Sequence, residues 1–448
     1  MGVRMLLHQP RAPAELLLRD VHVLDPRARI DARHDVRVRG GLIAELGPPG
    51  TLHPEEGEEL IEGEGRRRLL PAFFDPHVHL RSPGQEHKED LQTGTRAAAA
   101  GGFGAVIAMP NTEPVLDSAP LLRSMREAAA REGCIAVGFL AAITRGLEGE
   151  QLTEMAELSE LGALGFSDDG RGVQSAGTLL KALRYQRLCG GVLTLHEEDR
   201  ALSRDGSMHE GAVSAALGLR GIPAVAESTM LARDAALAGY ENARVHFQHL
   251  SCSASVATVA EAKAHGWKVS AEVTPHHLLL TEDDVRPLDT RMKMYPPLAT
   301  ELDRSALLDG LRAGTIDCVA SDHAPHALEE KEVPFEQAPF GTTGLETAFA
   351  ALHTDLVLTN ALGLGLLVER MTAGAELFGL PAALIAPGQP ANLTLVDLDA
   401  AWIAGEHGWQ SRSENCCFAG RALKGRVLMT VAAGSIAYRE PALAAVAA

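Results

Sequence analysis

The chain has no basic excess: 41 lysines and arginines stand against 59 aspartates and glutamates, a formal charge of −18. That balance excludes a typical nucleic-acid binder, whose phosphate partner needs a cationic footprint. It still allows a local cationic pocket for a small anionic substrate. Long hydrophobic runs are missing too. The apolar stretch Ala97–Met109 is thirteen residues long and broken by three glycines, whereas a membrane span needs about 18–20 apolar residues. The N-terminal MGVRMLLHQPRAPAELLL lacks an apolar core followed by a small-residue cleavage site. Cysteine is sparse, six residues with no C-x-x-C pair, so neither a disulfide framework nor a cysteine-based zinc site is predicted, and Cys416 and Cys417 read as ordinary thiols. Aromatic residues are only 4%, and no internal repeat or low-complexity linker is visible. These absences predict a soluble, cytoplasmic protein with no membrane and no nucleic-acid partner.

What is present is globular: 46% apolar and 22% charged residues in 448, enough for one large domain plus a smaller one. From residue 71 onward, short β-rich runs alternate with helical patterns. Predicted strands are Phe73–His79, Gly104–Met109, Ile135–Ala141, Leu164–Ser167, Val192–His196, Val245–His249, Lys268–Val273 and Ile316–Asp322. Between them, Ser118–Glu132, Gly149–Leu161, Ala176–Cys189, Glu227–Tyr240, Ser253–His265 and Glu301–Ala313 repeat apolar residues at i, i+3, i+4. Eight strand–helix units predict a parallel (β/α)8 TIM-like barrel, with a doubly wound open sheet as the competitor. The ends read as short strands and turns. We expect residues 1–70 and 381–448 to pair into one small β-sandwich carrying a barrel of residues 71–380, with the alanine-rich tail 442–448 frayed.

The chemistry sits where the strands end. His77 and His79 lie two apart on the first strand, so both imidazoles project to the same side. His196 closes VLTLH, His249 closes VHFQH, Asp322 closes IDCVASD, and Asp168-Asp169 follow ALGFS. The carboxyl ends of barrel strands form the active-site mouth. Four histidines and the carboxylates there suit a borderline ion such as zinc, or two ions about 3.5 Å apart. Spacing alone does not choose between Asp168 and Asp169.

The stretch from Asp75 to Pro114, DPHVHLRSPGQEHKEDLQTGTRAAAAGGFGAVIAMPNTEP, resembles the first signature of the dihydroorotases of the amidohydrolase superfamily. SDHAPH, followed by EEKE and APFGTTGLE, resembles their second. The likeness continues through FSDDGRGVQ, LHEED, QHLS, EVTPHH and GQPANLTLVDLD, and is greatest to the bacterial class I enzymes.

The resemblance implies reversible hydrolysis of L-dihydroorotate to N-carbamoyl-L-aspartate by metal-bound hydroxide, the third step of pyrimidine (UMP) biosynthesis. It implies one or two Zn2+ per subunit, two expected. His77, His79 and Asp322 would hold one ion, His196 and His249 the other, and Asp169 would link them. Many relatives use a carbamylated lysine as that link; none stands here, so no lysine modification is expected and the second ion is expected to be the weaker. Asp322 is the implied catalytic base. Arg81 and Asn111 would anchor the substrate carboxylate, His326 and the backbone around Phe340-Gly341 would contact the ring, His79 is counted among the substrate-binding residues, and no chemical role falls to His323. Where many relatives carry asparagine before two prolines, this chain has Tyr295, which either turns away or shifts substrate preference. The sequence leaves a homo-oligomer open, and analogy allows association with aspartate transcarbamoylase. Two alternatives are another cyclic amidohydrolase of hydantoinase or allantoinase type, and a non-catalytic partner of aspartate transcarbamoylase.

Overall fold

A computed structural model describes residues 6–443 and 446–447. Eight parallel strands follow one another around a barrel: β1 (Phe73–Val78), β2 (Phe103–Ala108), β3 (Ala136–Ala141), β4 (Gly165–Ser167), β5 (Val192–Leu195), β6 (Val245–Phe247), β7 (Val269–Val273) and β8 (Cys318–Val319). All eight predicted strands are present, and the open-sheet alternative falls. The ring closes at the end where the strands finish. There Val78 bridges His323, the His79 amide donates to the His323 carbonyl at 2.9 Å, and the Asp75 carboxylate accepts from the Ser321 amide at 3.1 Å. Both faces of these strands are covered, which is why they read as short unbroken apolar runs such as AVGFLA.

The helices pack outside the barrel. Ala176–Cys189 buries Leu179, Ala182, Leu183 and Gln186 along one face and starts at Ser175, whose side chain accepts from the Thr178 amide. Glu301–Ala313 opens with a Thr300/Asp303 capping box and stops at Gly314, φ +78. Two departures from expectation have local causes. The helix expected over 149–161 is only Met155–Glu160, because Thr144 and Leu152 pair and the Thr153 hydroxyl donates to the Ala142 carbonyl, spending the preceding residues on a turn. A helix over Leu91–Ala100 was not foreseen; its Ala-rich body runs into β2 without a polar break, and its start is marked by the Asp90/Thr93 capping box.

Strands from both chain ends form one nine-stranded mixed sheet, joined where Leu393–Ile403 pairs antiparallel with Arg68–Pro71. In the expected frayed tail, Val446–Ala447 pair with Leu60 and Glu59; residues 444, 445 and 448 lie outside the described residues. All six cysteines are free, and no helix among the described residues is long and apolar enough to cross a membrane. The sheet meets the barrel at the end opposite the closure described above. Phe73, at the start of β1, stacks on Phe349 at 5.2 Å and meets Phe103 edge-on at 5.7 Å. The Thr394 and Thr430 hydroxyls donate to the carbonyls of Gly102 and Ala99, each at 2.7 Å. A Cβ on Gly102 (φ +90) would stand 2.8 Å from the Thr394 methyl and 2.9 Å from the Phe73 ring, so this approach requires glycine. Phe349→Ala is expected to cost about 3–5 kcal/mol, the usual range for emptying a buried aromatic site. Denaturant unfolding checks this, and a loss too small to resolve would show that the stack on Phe73 contributes little to holding this end of the barrel.

Candidate active site

The six ligand candidates come from the ends of five strands and meet at one point. His77 lies in β1 and His79 just past it, Asp169 two residues after β4, His196 at the end of β5, His249 two residues after β6, and Asp322 three residues after β8. All six are buried. Asp169 Oδ1 stands 3.5 Å from His77 Nε2, 3.6 Å from His196 Nδ1 and 3.7 Å from His249 Nε2, and Oδ2 is 3.6 Å from His79 Nε2. Asp322 Oδ1 is 3.0 Å from His79 Nε2 and 3.4 Å from His77 Nε2. His196 Nδ1 and His249 Nε2 are 3.0 Å apart. Two donor sets overlap on His77: with His79 and Asp322, and with Asp169 and His249.

The neighbouring aspartate does something else. Asp168 accepts from the amides of Ile143 and Thr144, both at 2.9 Å, and from the Thr144 hydroxyl, which fastens β4 to the turn after β3. Burial pushes its carboxyl up to about 6. The choice that spacing left open is thus visible in where each side chain points.

The donor set fits a cation. The His77 Nδ1–H donates to Glu272 Oε1 at 2.7 Å, so Nε2 presents a lone pair. That nitrogen is buried, has no hydrogen-bond partner among the described residues, and faces two carboxylates. A ring nitrogen facing two carboxylates calls for positive charge there, supplied by a metal ion on its lone pair or by the ring's own second proton. The electrostatics agree. Burial works against charge on His77, yet Asp322, Glu272 and Asp169 hold it well above its ordinary value. Burial likewise opposes charge on His196, but Asp169 and Glu198 bring it up to about 9. Asp169 and Asp322, despite burial, stay well below the carboxylate range beside these imidazoles. Four imidazoles and two carboxylates, with no thiolate, are the ligand types of zinc and similar divalent ions.

Beside this cluster lies an open cavity of about 160 Å³ lined by His79, Arg81, Asn111, Tyr295, His326, Phe340 and Gly341, together with ligand residues. Every substrate-contact candidate therefore reaches it. Arg81 (φ +54) is anchored by Nε to the Pro325 carbonyl at 3.1 Å, and burial lowers its guanidinium to about 10. His326 Nε2 is 2.7 Å from the Phe340 carbonyl and 3.4 Å from Arg81 Nη2. The shorter contact makes Nε2 the donor, and burial followed by the Arg81 charge keeps the ring neutral, lowered to about 2. Gly341 (φ +134) leaves room that a Cβ would take, 2.8 Å from Ala324 Cβ.

Asn111 is more committed than a substrate anchor need be. Its Oδ1 accepts from His79 Nδ1 at 2.9 Å, while Nδ2 donates to Asp169 Oδ2 at 3.0 Å, leaving one N–H for a ligand. Tyr295 does not turn away. Its ring packs on His196 (5.2 Å) and Phe340 (4.7 Å) and walls the cavity. Burial and the neighbouring Glu198 charge push its hydroxyl up. His323, assigned no chemistry, is a latch: its Nδ1 accepts from the Gly344 amide at 3.2 Å and its Nε2 meets Glu89 at 3.3 Å. Sequence reading missed Glu89, Glu198 and Glu272. For Glu272 a signal exists, a carboxylate inside the buried strand VSAEV; for Glu89 and Glu198 the surrounding polar sequence conceals it.

The chain is similar to known proteins along most of its length. Residues 66–255 match the family model described as dihydro-orotase-like. The dihydroorotase of Desulforapulum autotrophicum is 43% identical over 420 residues, covering 94% of this chain and 98% of that protein. The dihydroorotase of Bacillus subtilis is 42% identical over 407 residues, covering 91% and 94%. Among solved structures, the L-hydantoinase (dihydropyrimidinase) of Arthrobacter aurescens superposes with a TM-score of 0.85 over 96% of this chain and 97% of its own, at 23% identity, a likeness of fold. With a match this deep to the curated relatives, and with the ligand-competent side chains of five strands gathered on one carboxylate, the chain belongs to the dihydroorotase family.

Proposed function

We propose that this protein is a dihydroorotase, opening the cyclic amide of L-dihydroorotate to N-carbamoyl-L-aspartate and closing it in reverse, with zinc held by His77, His79, Asp169, His196, His249 and Asp322. The observation that carries the reading is the placement of Asp169 within 3.7 Å of all four histidines. A divalent ion in that setting supplies an acidified water and a Lewis-acid contact for the carbonyl oxygen.

The protein's own groups do the rest. Arg81, fixed through Nε, offers its remaining N–H groups to the substrate carboxylate, the fork geometry suited to that partner. The spare N–H of Asn111 adds a second contact. His326, whose Nε2–H is spent on Phe340 and whose Nδ1 is buried 3.5 Å from Glu330, borders the ring as a fixed wall of the cavity. The faces of Tyr295 and Phe340 exclude water from one side of the ring. Asp322, kept ionised, takes a proton from the attacking water and delivers it to the departing ring nitrogen as the C–N bond breaks; the hydroxyl stays on carbon, and the carboxylic acid so formed releases its proton to solvent. Aspartate transcarbamoylase association and a homo-oligomer remain part of the proposal by analogy.

A dihydroorotate hydrolysis assay on protein of measured zinc content tests this reading. Activity is expected to vanish on chelation and return with zinc. Asp322→Asn is expected to lower kcat by about 10²–10⁴-fold; retention of a tenth of the activity contradicts its role as base. The two adjacent aspartates should separate cleanly. Asp169→Asn loses zinc with little change in melting temperature. Asp168→Ala keeps zinc but destabilises by about 1–3 kcal/mol, the cost of stranding its buried donors. The reverse pattern in metal analysis and calorimetry would exchange their roles. Tyr295→Asn is expected to shift KM for dihydroorotate about threefold or more with kcat largely kept, and an unchanged KM would place this side chain outside the substrate's surroundings.

A further inference from the structure

Glu272 lies in β7 with 1% of its surface exposed, among side chains where an unpaired carboxylate would be costly. Each of its hydrogen-bond partners is a donor. Oε1 accepts from His77 Nδ1 at 2.7 Å and from the His249 backbone amide at 3.3 Å, and Oε2 accepts from His246 Nε2 at 3.0 Å. His246 is fixed in turn by Ser270 Oγ, 2.9 Å from its Nδ1. The amide nitrogen of Gln248 also lies near His77 Nδ1, at 3.2 Å, but a donor cannot accept that proton; its Oε1 is already taken by Ser167. The His77 proton therefore belongs to Glu272.

We infer that Glu272, braced by His246, is a positioning residue that ties the two halves of the metal centre together through His77 on one side and the His249 backbone on the other. The inference rests on the zinc reading above. Its physical basis is threefold. Accepting the Nδ1 proton forces His77 to turn its Nε2 lone pair toward Asp169 and Asp322. Accepting the His249 amide helps hold that residue at φ +29, a backbone region that side-chain-bearing residues rarely occupy. Because one carboxylate serves both, any movement of it changes the spacing between the ligands of the two sites.

The test is zinc affinity, read by competition with a chromophoric chelator on the full-length protein after metal removal, alongside the melting temperature of the metal-free form. Glu272→Gln keeps shape and one acceptor, and Glu272→Ala removes both. The expected result is a roughly 10- to 100-fold loss of zinc affinity, larger for alanine than for glutamine, with a changed visible spectrum of the cobalt(II)-loaded glutamine variant. A purely structural role would lower the melting temperature of the metal-free protein and leave zinc affinity unmoved. Wild-type zinc affinity in both variants overturns the inference while leaving the dihydroorotase reading intact; failure of the wild type itself to bind zinc overturns both. Should Glu272→Gln not fold, His246→Gln takes its place, with a smaller loss expected in the same direction, and wild-type affinity there counts against the inference.

Discussion

Asp169 carries the oxygen about which the strand ends are arranged. Three ring nitrogens from β1, β5 and β6 stand 3.5–3.7 Å from its Oδ1, and its Oδ2 is shared between His79 and Asn111. Burying Asp169, Asp322 and Glu272 in one place is expensive unless positive charge is brought in with them. Imidazoles answer part of that demand, which is why His77 and His196 are drawn above their ordinary values in the face of burial. The same imbalance makes the cluster receptive to a divalent ion. The remainder of the molecule can be understood as a rigid frame that keeps these like charges from moving apart.

At the seam between β8 and β1, where among the described residues only one bridge joins the strands, side chains complete that frame. Asp75 accepts from Ser321, His79 pairs with His323, and His323 hands its ring to Glu89. Glu89 is also gripped by Thr93, by the Ser411 hydroxyl and by the Arg412 amide, so the segment leading into the last strands of the terminal sheet is bound to the strand carrying Asp322. The sheet built from both chain ends thus does more than cap the barrel. Through Glu89 and His323 it fixes the backbone next to Asp322, while its Thr394 and Thr430 hydroxyls hold the opposite end.

The substrate side is built differently, by residues already engaged elsewhere. Arg81 spends one N–H on Pro325, Asn111 spends its oxygen and one N–H on His79 and Asp169, and His326 spends Nε2 on Phe340. Each is thereby held in place where it lines the cavity, and Arg81 and Asn111 keep N–H groups to spare. Such prior commitment lowers the entropy lost when a ligand is ordered. Tyr295 fits the same scheme as a wall, its ring held between His196 and Phe340.

Much of this was legible along the chain. Short apolar runs ending in histidine or aspartate, alternating with amphipathic segments, define the barrel and the ligand set, because strand burial and side-chain alternation are local consequences of backbone geometry. The helix over Leu91–Ala100 escaped notice since its alanines merge with β2, and the expected helix over 149–161 shrank because Thr144 and Leu152 pair. The amino-acid order by itself determined which side chains stand at strand ends, and hence the family and the chemistry open to it. Only the tertiary structure decided that Asp168 braces a turn while Asp169 faces the histidines, and that Glu272 and Glu89 sit behind the ligands. The reason is that a hydrogen bond across 195 or 234 positions depends on where the barrel closes, which no local pattern encodes.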